Sequence, residues 1–207
     1  MAFITFEGIE GCGKSTQAQR LAERLGSRAV VTREPGGTAI GRAVREVLLD
    51  PANRGLAPTT ELLLYFSDRA QHMAEVVRPA LAQGRIVVCD RHVESSLAYQ
   101  GYGRGLPLGA IRVLAELATG GLRPDAIVLF DVPVELGLAR ARRRGAQDRL
   151  EAERVEFHER VRAGYEELLA QEPERWLRVD GRGSADAVFE SLWRALVRRG
   201  LVSGEAA

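Results

Sequence analysis

The chain opens on an apolar run, Ala2 to Phe6, closed by Glu7, and then passes at once into GIEGCGKST, Gly8 to Thr16. A short apolar run that stops at turn residues predicts a buried strand. The same pattern predicts further strands at Ala29–Thr32, Arg85–Cys89, Ala126–Asp131 and Trp176–Asp180. Between them the hydrophobic period lengthens to that of a helix. Ser15 to Leu25 has Leu21 and Leu25 four apart. Further helices are predicted near 39–49, 60–83, 108–119, 134–144, 152–171 and 184–199, and in the fifth of these Phe157, Val161, Tyr165 and Leu168 share one face. Strands alternating with helices predict a parallel sheet flanked by helices.

With 207 residues, 45% of them hydrophobic, the chain has enough apolar surface for a full core, and we expect one domain over residues 1–207. It has no internal repeat, low-complexity tract or long linker, and the small-residue tail Ser203 to Ala207 is where fraying is expected. The 29 basic and 28 acidic residues nearly cancel, so no net field recruits nucleic acid or an anionic membrane. The expected partner is a small molecule. Cys12 and Cys89 form no spaced pair, and the N-terminus has neither a basic region nor an apolar leader, which points to a reducing, cytoplasmic setting. No apolar run approaches the roughly 20 residues of a membrane span.

Gly8, Gly13, Lys14 and Ser15 satisfy G-x-x-x-x-G-K-[ST], lying between a predicted strand and a predicted helix. In such a loop the backbone N–H groups of Gly8, Ile9, Glu10, Gly11, Cys12, Gly13, Lys14, Ser15 and Thr16 cradle phosphates at a helix N-terminus. The lysine, taken as an exposed loop residue, reaches the outer phosphates, and the Ser15 hydroxyl ligates Mg²⁺. Composition sharpens this, because Lys14 is the only lysine among the 29 basic residues. A compact ammonium fits between phosphate oxygens where a planar guanidinium does not. A chain with no second lysine also has no N-K-x-D segment for guanine, which nearly closes the GTPase branch.

Parallel sheets deliver chemistry at the carboxyl ends of their strands. After the second predicted strand comes TREPGGT (Thr32–Thr38), and after the third DRHVESSLAYQG (Asp90–Gly101). Arg33 and Arg91 would enter the crevice that holds Lys14, where bidentate arginines suit a second phosphate, that of an acceptor. Asp90 ends an apolar strand as a magnesium-side aspartate does, with Asp131 a rival and a plain helix N-cap the alternative. The run Arg140, Arg142, Arg143, Arg144, Arg149 is either a solvated face or a lid at about 140–152. Because Ile9, Glu10, Gly11 and Cys12 include no base, the cationic help that phosphoryl transfer requires falls to this run.

The segments FEGIEGCGKST, TREPGGT, YFSDRAQH (Tyr65–His72), DRHVESSLAYQGYGRG and the lid ending QDRLE stand in an order and spacing that resemble the thymidylate kinases, from Ile4 to about Asp180. The likeness is nearest to bacterial members with a basic lid. It implies the P-loop nucleoside monophosphate kinase fold, a five-stranded parallel sheet flanked by helices, in a homodimer that makes dTDP from dTMP and ATP with Mg²⁺. It also implies roles. Phe66 stacks on thymine and Arg69 donates to its O4. Ser96 and Gln100 touch the base edge. Tyr99 lies under the deoxyribose and excludes a 2′-hydroxyl. Arg33 and Arg91 clamp the acceptor phosphate, and Glu10 stands near the 3′-hydroxyl and the Mg²⁺ waters, where many relatives have aspartate. Arg142, Arg144 and Arg149 act from the lid, Ser15 and Asp90 serve the metal, and His92 packs behind the arginine. Arg142 and the loop Gly181–Gly183 are assigned to adenine. Against this stand a kinase for another nucleotide, such as dUMP, and a P-loop ATPase or switch with no acceptor.

Overall fold

A computed structural model of the chain describes residues 1–143, 145 and 148–203. Five strands, β1 (Ala2–Glu7), β2 (Ala29–Arg33), β3 (Ile86–Asp90), β4 (Ala126–Asp131) and β5 (Trp176–Asp180), pair all-parallel in the order β2-β3-β1-β4-β5. β1 lies centrally and every one of its residues is buried, which explains why it reads as a continuous apolar run instead of an alternating one. The helices are α1 (Lys14–Leu25), α2 (Ala39–Leu49), α3 (Pro58–His72), α4 (Arg78–Ala82), α5 (Val93–Ser96), α6 (Leu108–Thr119), α7 (Val134–Arg142), α8 (Val155–Gln171) and α9 (Ala185–Arg198). None of the described helices is long and apolar enough to cross a membrane.

Register brings the chemistry-bearing strand ends into line. Phe6 and Arg33 both lie opposite Asp90, so β1, β2 and β3 deliver Glu7, Arg33 and Asp90 to one rim of the sheet. The predicted elements recur within one to three residues at their ends. The single long helix expected at 60–83 is α3 and α4 joined through one π-helical stretch, Met73–Val77. The predicted face of α8 is core: Phe157, Val161, Tyr165 and Leu168 are all buried.

One helical segment has no counterpart among the predicted elements. α5 runs on through a π-helical stretch, Leu97–Gly103, that packs on α8. It is buried almost all round, with Ser95, Ser96, Tyr99 and Gln100 beside Leu97 and Ala98, so polar and apolar residues are buried together and no apolar stripe shows in the periodicity. Buried polarity of that kind marks a binding wall more than a core.

Candidate active site

The loop from Gly8 to Gly13 is fixed by contacts that only glycine allows. Gly8 has φ of 136°, and a Cβ there would lie 2.6 Å from the Phe130 carbonyl oxygen. At Gly11, with φ of 68°, a Cβ would meet the Gly137 carbonyl oxygen at 2.0 Å, so the loop is wedged between the end of β4 and α7. A Cβ built on Gly13, by contrast, meets nothing within 4 Å, which leaves room at the start of α1. That helix has neither a side-chain cap nor an acidic residue in its first turn, so its free N–H groups and positive dipole end face an anion.

Lys14 corrects the expectation of an exposed lysine: it is 6% exposed and folds back over the loop. Its Nζ donates to the carbonyls of Gly8 and Ile9, at 2.9 Å each, and lies 3.3 Å from Cys12 Sγ. The ammonium thus braces the loop it serves. Ser15 Oγ donates to Asp90 Oδ2 at 2.6 Å, which joins the two expected metal residues. Asp131, the rival, is taken by Arg162 and Arg178. Hydroxyl and carboxylate oxygens side by side at the phosphate end of a P-loop are a donor set of the kind Mg²⁺ takes. A second cluster, Glu34, His72 and Cys89, has its ligand atoms within 4.8 Å of one another. Its atoms already have partners: Glu34 Oε2 accepts from Arg69 Nε, His72 lies with Nδ1 2.8 Å from Glu34 Oε1 and Nε2 2.7 Å from Thr32 Oγ1, and the Cys89 thiol donates to the Arg91 carbonyl.

Arg91 is the hub of the acceptor side. It has φ of 72°, the one non-glycine positive φ among the described residues, a conformation that costs on the order of 1–3 kcal/mol and persists where the surroundings enforce it. The enforcing contacts are visible: its backbone N–H donates to the Phe6 carbonyl, Nη1 to Gly8 O and Ser95 Oγ, and Nη2 to Glu10 Oε1 and the Tyr99 hydroxyl, both at 3.1 Å. The guanidinium lies over the Tyr99 ring, 4.8 Å from its centroid. Tyr99 in turn donates to Glu10 Oε1 at 2.6 Å, and His158 Nδ1 lies 3.2 Å from the other oxygen of Glu10. Burial works to raise the Glu10 pKa, but His158, Arg91 and Tyr99 outweigh it and hold the carboxyl at about 2.

A cavity of about 390 Å³ joins the two sides. Lys14, Ser15 and Thr16 line its donor end, and Arg33, Arg45 and Arg91 its other wall. Arg33 is exposed and has no ion pair with any described residue. Arg45 was missed by the sequence reading. It falls between Gly41 and Leu48 on the buried face of α2, and an arginine on the core side of an amphipathic helix was the available signal. Burial and the neighbouring Arg33 push its pKa down.

Beside this cavity a slot of about 20 Å³ is lined by residues that include Tyr65, Arg69, Ser96, Tyr99, Gln100 and Leu150. Arg69 is not the helix-face charge that its position alone would suggest, since it is 1% exposed. Nε donates to Glu34 at 2.7 Å, Nη1 to Ser96 Oγ at 3.1 Å and Nη2 to the His92 carbonyl at 2.8 Å. Phe66 sits beneath it, the guanidinium 4.6 Å from the ring centroid, and does not line the slot. Glu34, which also takes His72 and His92, is held well below the usual carboxylate range, as Arg69 and the two histidines outweigh its burial.

The lid arginines separate. Arg142 is exposed at the end of α7 and lines neither cavity, while Arg144 lies outside the described residues. Arg149 is buried and turned to protein partners, Glu61 at 2.6 Å and the Leu48 carbonyl at 2.8 Å, so it holds the lid's end in place and does not stand free at the phosphate cavity. A further cavity of about 330 Å³ lies between the phosphate loop and Gly181 and Gly183 and is lined by Cys12, Thr16 and Arg140, which puts Arg140 where Arg142 was expected.

The chain as a whole resembles known proteins. The family model described as thymidylate kinase matches residues 6–192. A thymidylate kinase of a Synechococcus strain is 53% identical over 202 residues, covering 95% of each chain. One from Geobacter sulfurreducens is 50% identical over 206 residues, covering 95% of this chain and 97% of that one. The crystal structure of thymidylate kinase from Ehrlichia chaffeensis superposes with a TM-score of 0.79 at 32% identity, covering 95% of this chain and 98% of that chain. The chain described here belongs to the thymidylate kinase family.

Proposed function

We propose that this chain transfers the γ-phosphoryl group of ATP to dTMP, releasing dTDP and ADP, with the two sides of the 390 Å³ cavity as its donor and acceptor sites. The observation that carries the proposal is the second cationic group: Arg33, Arg45 and Arg91 face the P-loop across one cavity, and a nucleotide switch or simple ATPase has no use for it. The backbone N–H groups from Gly8 to Thr16 hold the donor phosphates, and Lys14 exchanges its two carbonyl partners for phosphate oxygens. Ser15 and Asp90 would hold Mg²⁺, which when bound neutralises charge on the donor phosphates. Arg91 and Arg33, with Arg45, align the acceptor phosphate, Arg91 being fixed beforehand by its backbone and by guanidinium bonds to the Gly8 carbonyl, Ser95, Glu10 and Tyr99.

Glu10 stays ionised throughout the physiological range and keeps Arg91 and Tyr99 in place. Tyr99 floors the sugar site, Arg69, Ser96 and Gln100 face the base edge, and Phe66 supports Arg69 from below. Of the lid, Arg142 and Arg144 are left to meet the transferring group, since Arg149 is bonded elsewhere. No covalent enzyme intermediate is needed, and catalysis is positioning plus electrostatics. The exposed apolar residues Leu63 on α3 and Val113 and Leu117 on α6, two helices that pack together, support a homodimer. The chain is assigned to the cytoplasm. The test is product identity by ³¹P NMR: dTDP and ADP in equal amounts support the proposal, and ATP hydrolysis independent of dTMP sinks it.

A further inference from the structure

We infer that Glu61 is a positioning residue for base recognition: by accepting a hydrogen bond from Gln100 Nε2 it fixes the Gln100 amide with its carbonyl oxygen toward the base slot, so that the slot selects a ring bearing an N3–H. This rests on the reading above that Gln100 meets the base edge.

Glu61 is fully buried on α3 and takes donors from two other parts of the chain. Oε1 accepts from Gln100 Nε2 at 2.9 Å and Arg104 Nε at 3.3 Å, while Oε2 accepts from Arg104 Nη2 at 3.1 Å and Arg149 Nη1 at 2.6 Å. Two guanidiniums keep the group a carboxylate, and its pKa is lowered although burial alone would raise it. An ionised carboxylate can only accept. The flipped amide would set Gln100 Oε1 against a carboxylate oxygen, two acceptors at hydrogen-bonding distance, so one orientation of the amide is allowed. In that orientation Gln100 Oε1 receives no hydrogen bond from any described residue, while the residue lines the slot.

The consequence is chemical selection. A free carbonyl oxygen accepts from the N3–H of a 2,4-dioxopyrimidine and meets a lone pair in a 4-aminopyrimidine, and Arg69 nearby offers only donors, which suit a 4-oxo group. Glu61 also sets the slot's far wall. Arg149 is bound to it, and Leu150, the next residue, lines both the slot and the large cavity.

The test compares kcat/KM for dTMP and for 5-methyl-2′-deoxycytidine 5′-monophosphate, which keeps the methyl group and the sugar, in the full chain. In E61Q the side chain offers either a donor or an acceptor, so the Gln100 amide is released and the preference for dTMP should fall by about tenfold or more. Q100A should lower the preference comparably, and the double variant should lower it no further, as expected of residues acting through one contact. A Glu61 that serves only stability would slow both nucleotides equally, and an unchanged ratio in E61Q overturns the inference. If Q100A collapses the ratio and E61Q does not, Glu61 is not the orienting group although the base reading stands. If neither alters it, Gln100 does not read the base and the inference falls with it. Should E61Q fail to fold, amide proton exchange in the unliganded wild-type protein decides. One Gln100 Nε2 proton, assigned by its loss in Q100A, should exchange about tenfold or more slowly than those of exposed Gln83, and equal exchange refutes the assignment.

Discussion

Replacing Tyr99 separates two roles that one side chain combines. Its ring supports Arg91 and floors the sugar site, whereas its hydroxyl donates to Glu10 at 2.6 Å. Tyr99→Phe keeps the ring and removes the hydroxyl, which leaves a buried carboxylate with one donor fewer, a loss of about 1.5–3 kcal/mol for a hydrogen bond to a charged group. Transfer to dTMP should slow while the preference for deoxyribose persists. Tyr99→Ala removes the ring as well. If that ring is what excludes a 2′-hydroxyl, the hydroxyl's buried and unpaired cost of about 1–3 kcal/mol, a factor of roughly 5 to 150 in kcat/KM, should largely disappear. Tyr99 is buried, so the same truncation should destabilise the fold by about 3–5 kcal/mol. The assay is kcat/KM for dTMP and 5-methyluridine monophosphate on wild type and both variants, at a temperature where all are folded. A ratio unchanged in Tyr99→Ala would refute the sugar role and leave Tyr99 a core aromatic.

Lys14→Ala should lower kcat by about a thousandfold or more, and because Nζ braces two loop carbonyls it should also cost about 1–3 kcal/mol of stability, seen as a lower thermal midpoint. Activity within tenfold of wild type would remove its catalytic role. Replacing Arg142 and Arg144 together should reduce kcat by roughly a thousandfold with little change in dTMP affinity, whereas Arg149→Ala should register first in stability, by about 3–5 kcal/mol, since it leaves the buried Glu61 without its closest partner. Acid should unfold the protein through its buried carboxylates: Glu10 has its pKa lowered from 4.5 to about 2, so the stability it confers is present above pH 4.5 and lost as pH falls toward 2, about 3 kcal/mol in all. Glu34 and Glu61 act in the same direction and Glu7, whose pKa burial and Glu94 raise, in the opposite one. Glu10→Gln should flatten the urea midpoint against pH in that window.

The inner strands β1 and β4 were legible because strands buried on both faces of a parallel sheet write continuous apolar runs, and the P-loop because its glycines are demanded by contacts with Phe130 and Gly137. Arginines at the ends of successive strands pointed to the acceptor side, and Ser15 beside Asp90 follows from strand register. What stayed hidden was whatever depends on a side chain's partner far along the chain. Lys14 could not be seen to fold back, nor Arg149 to leave the lid for Glu61, a residue 88 positions away by numbering. His158 and Glu61 carry no motif of their own, and Glu34 has no role assigned to it within TREPGGT; they matter because the fold sets them behind Glu10, Gln100 and Arg69. The segment Val93 to Gly103 escaped because it buries polar and apolar residues together and so shows no apolar stripe.

Whether a donor site and an acceptor site share one cavity is decided by the initial rate of ADP release from MgATP with no acceptor and then with dTMP, dUMP, dCMP, dGMP, dAMP and UMP in turn. Release should be negligible without acceptor, strongly stimulated by dTMP beyond every other monophosphate, and stimulated less by dUMP, which lacks only the methyl group. Release at the same rate with and without dTMP, or a clear preference for a purine monophosphate, would contradict that arrangement.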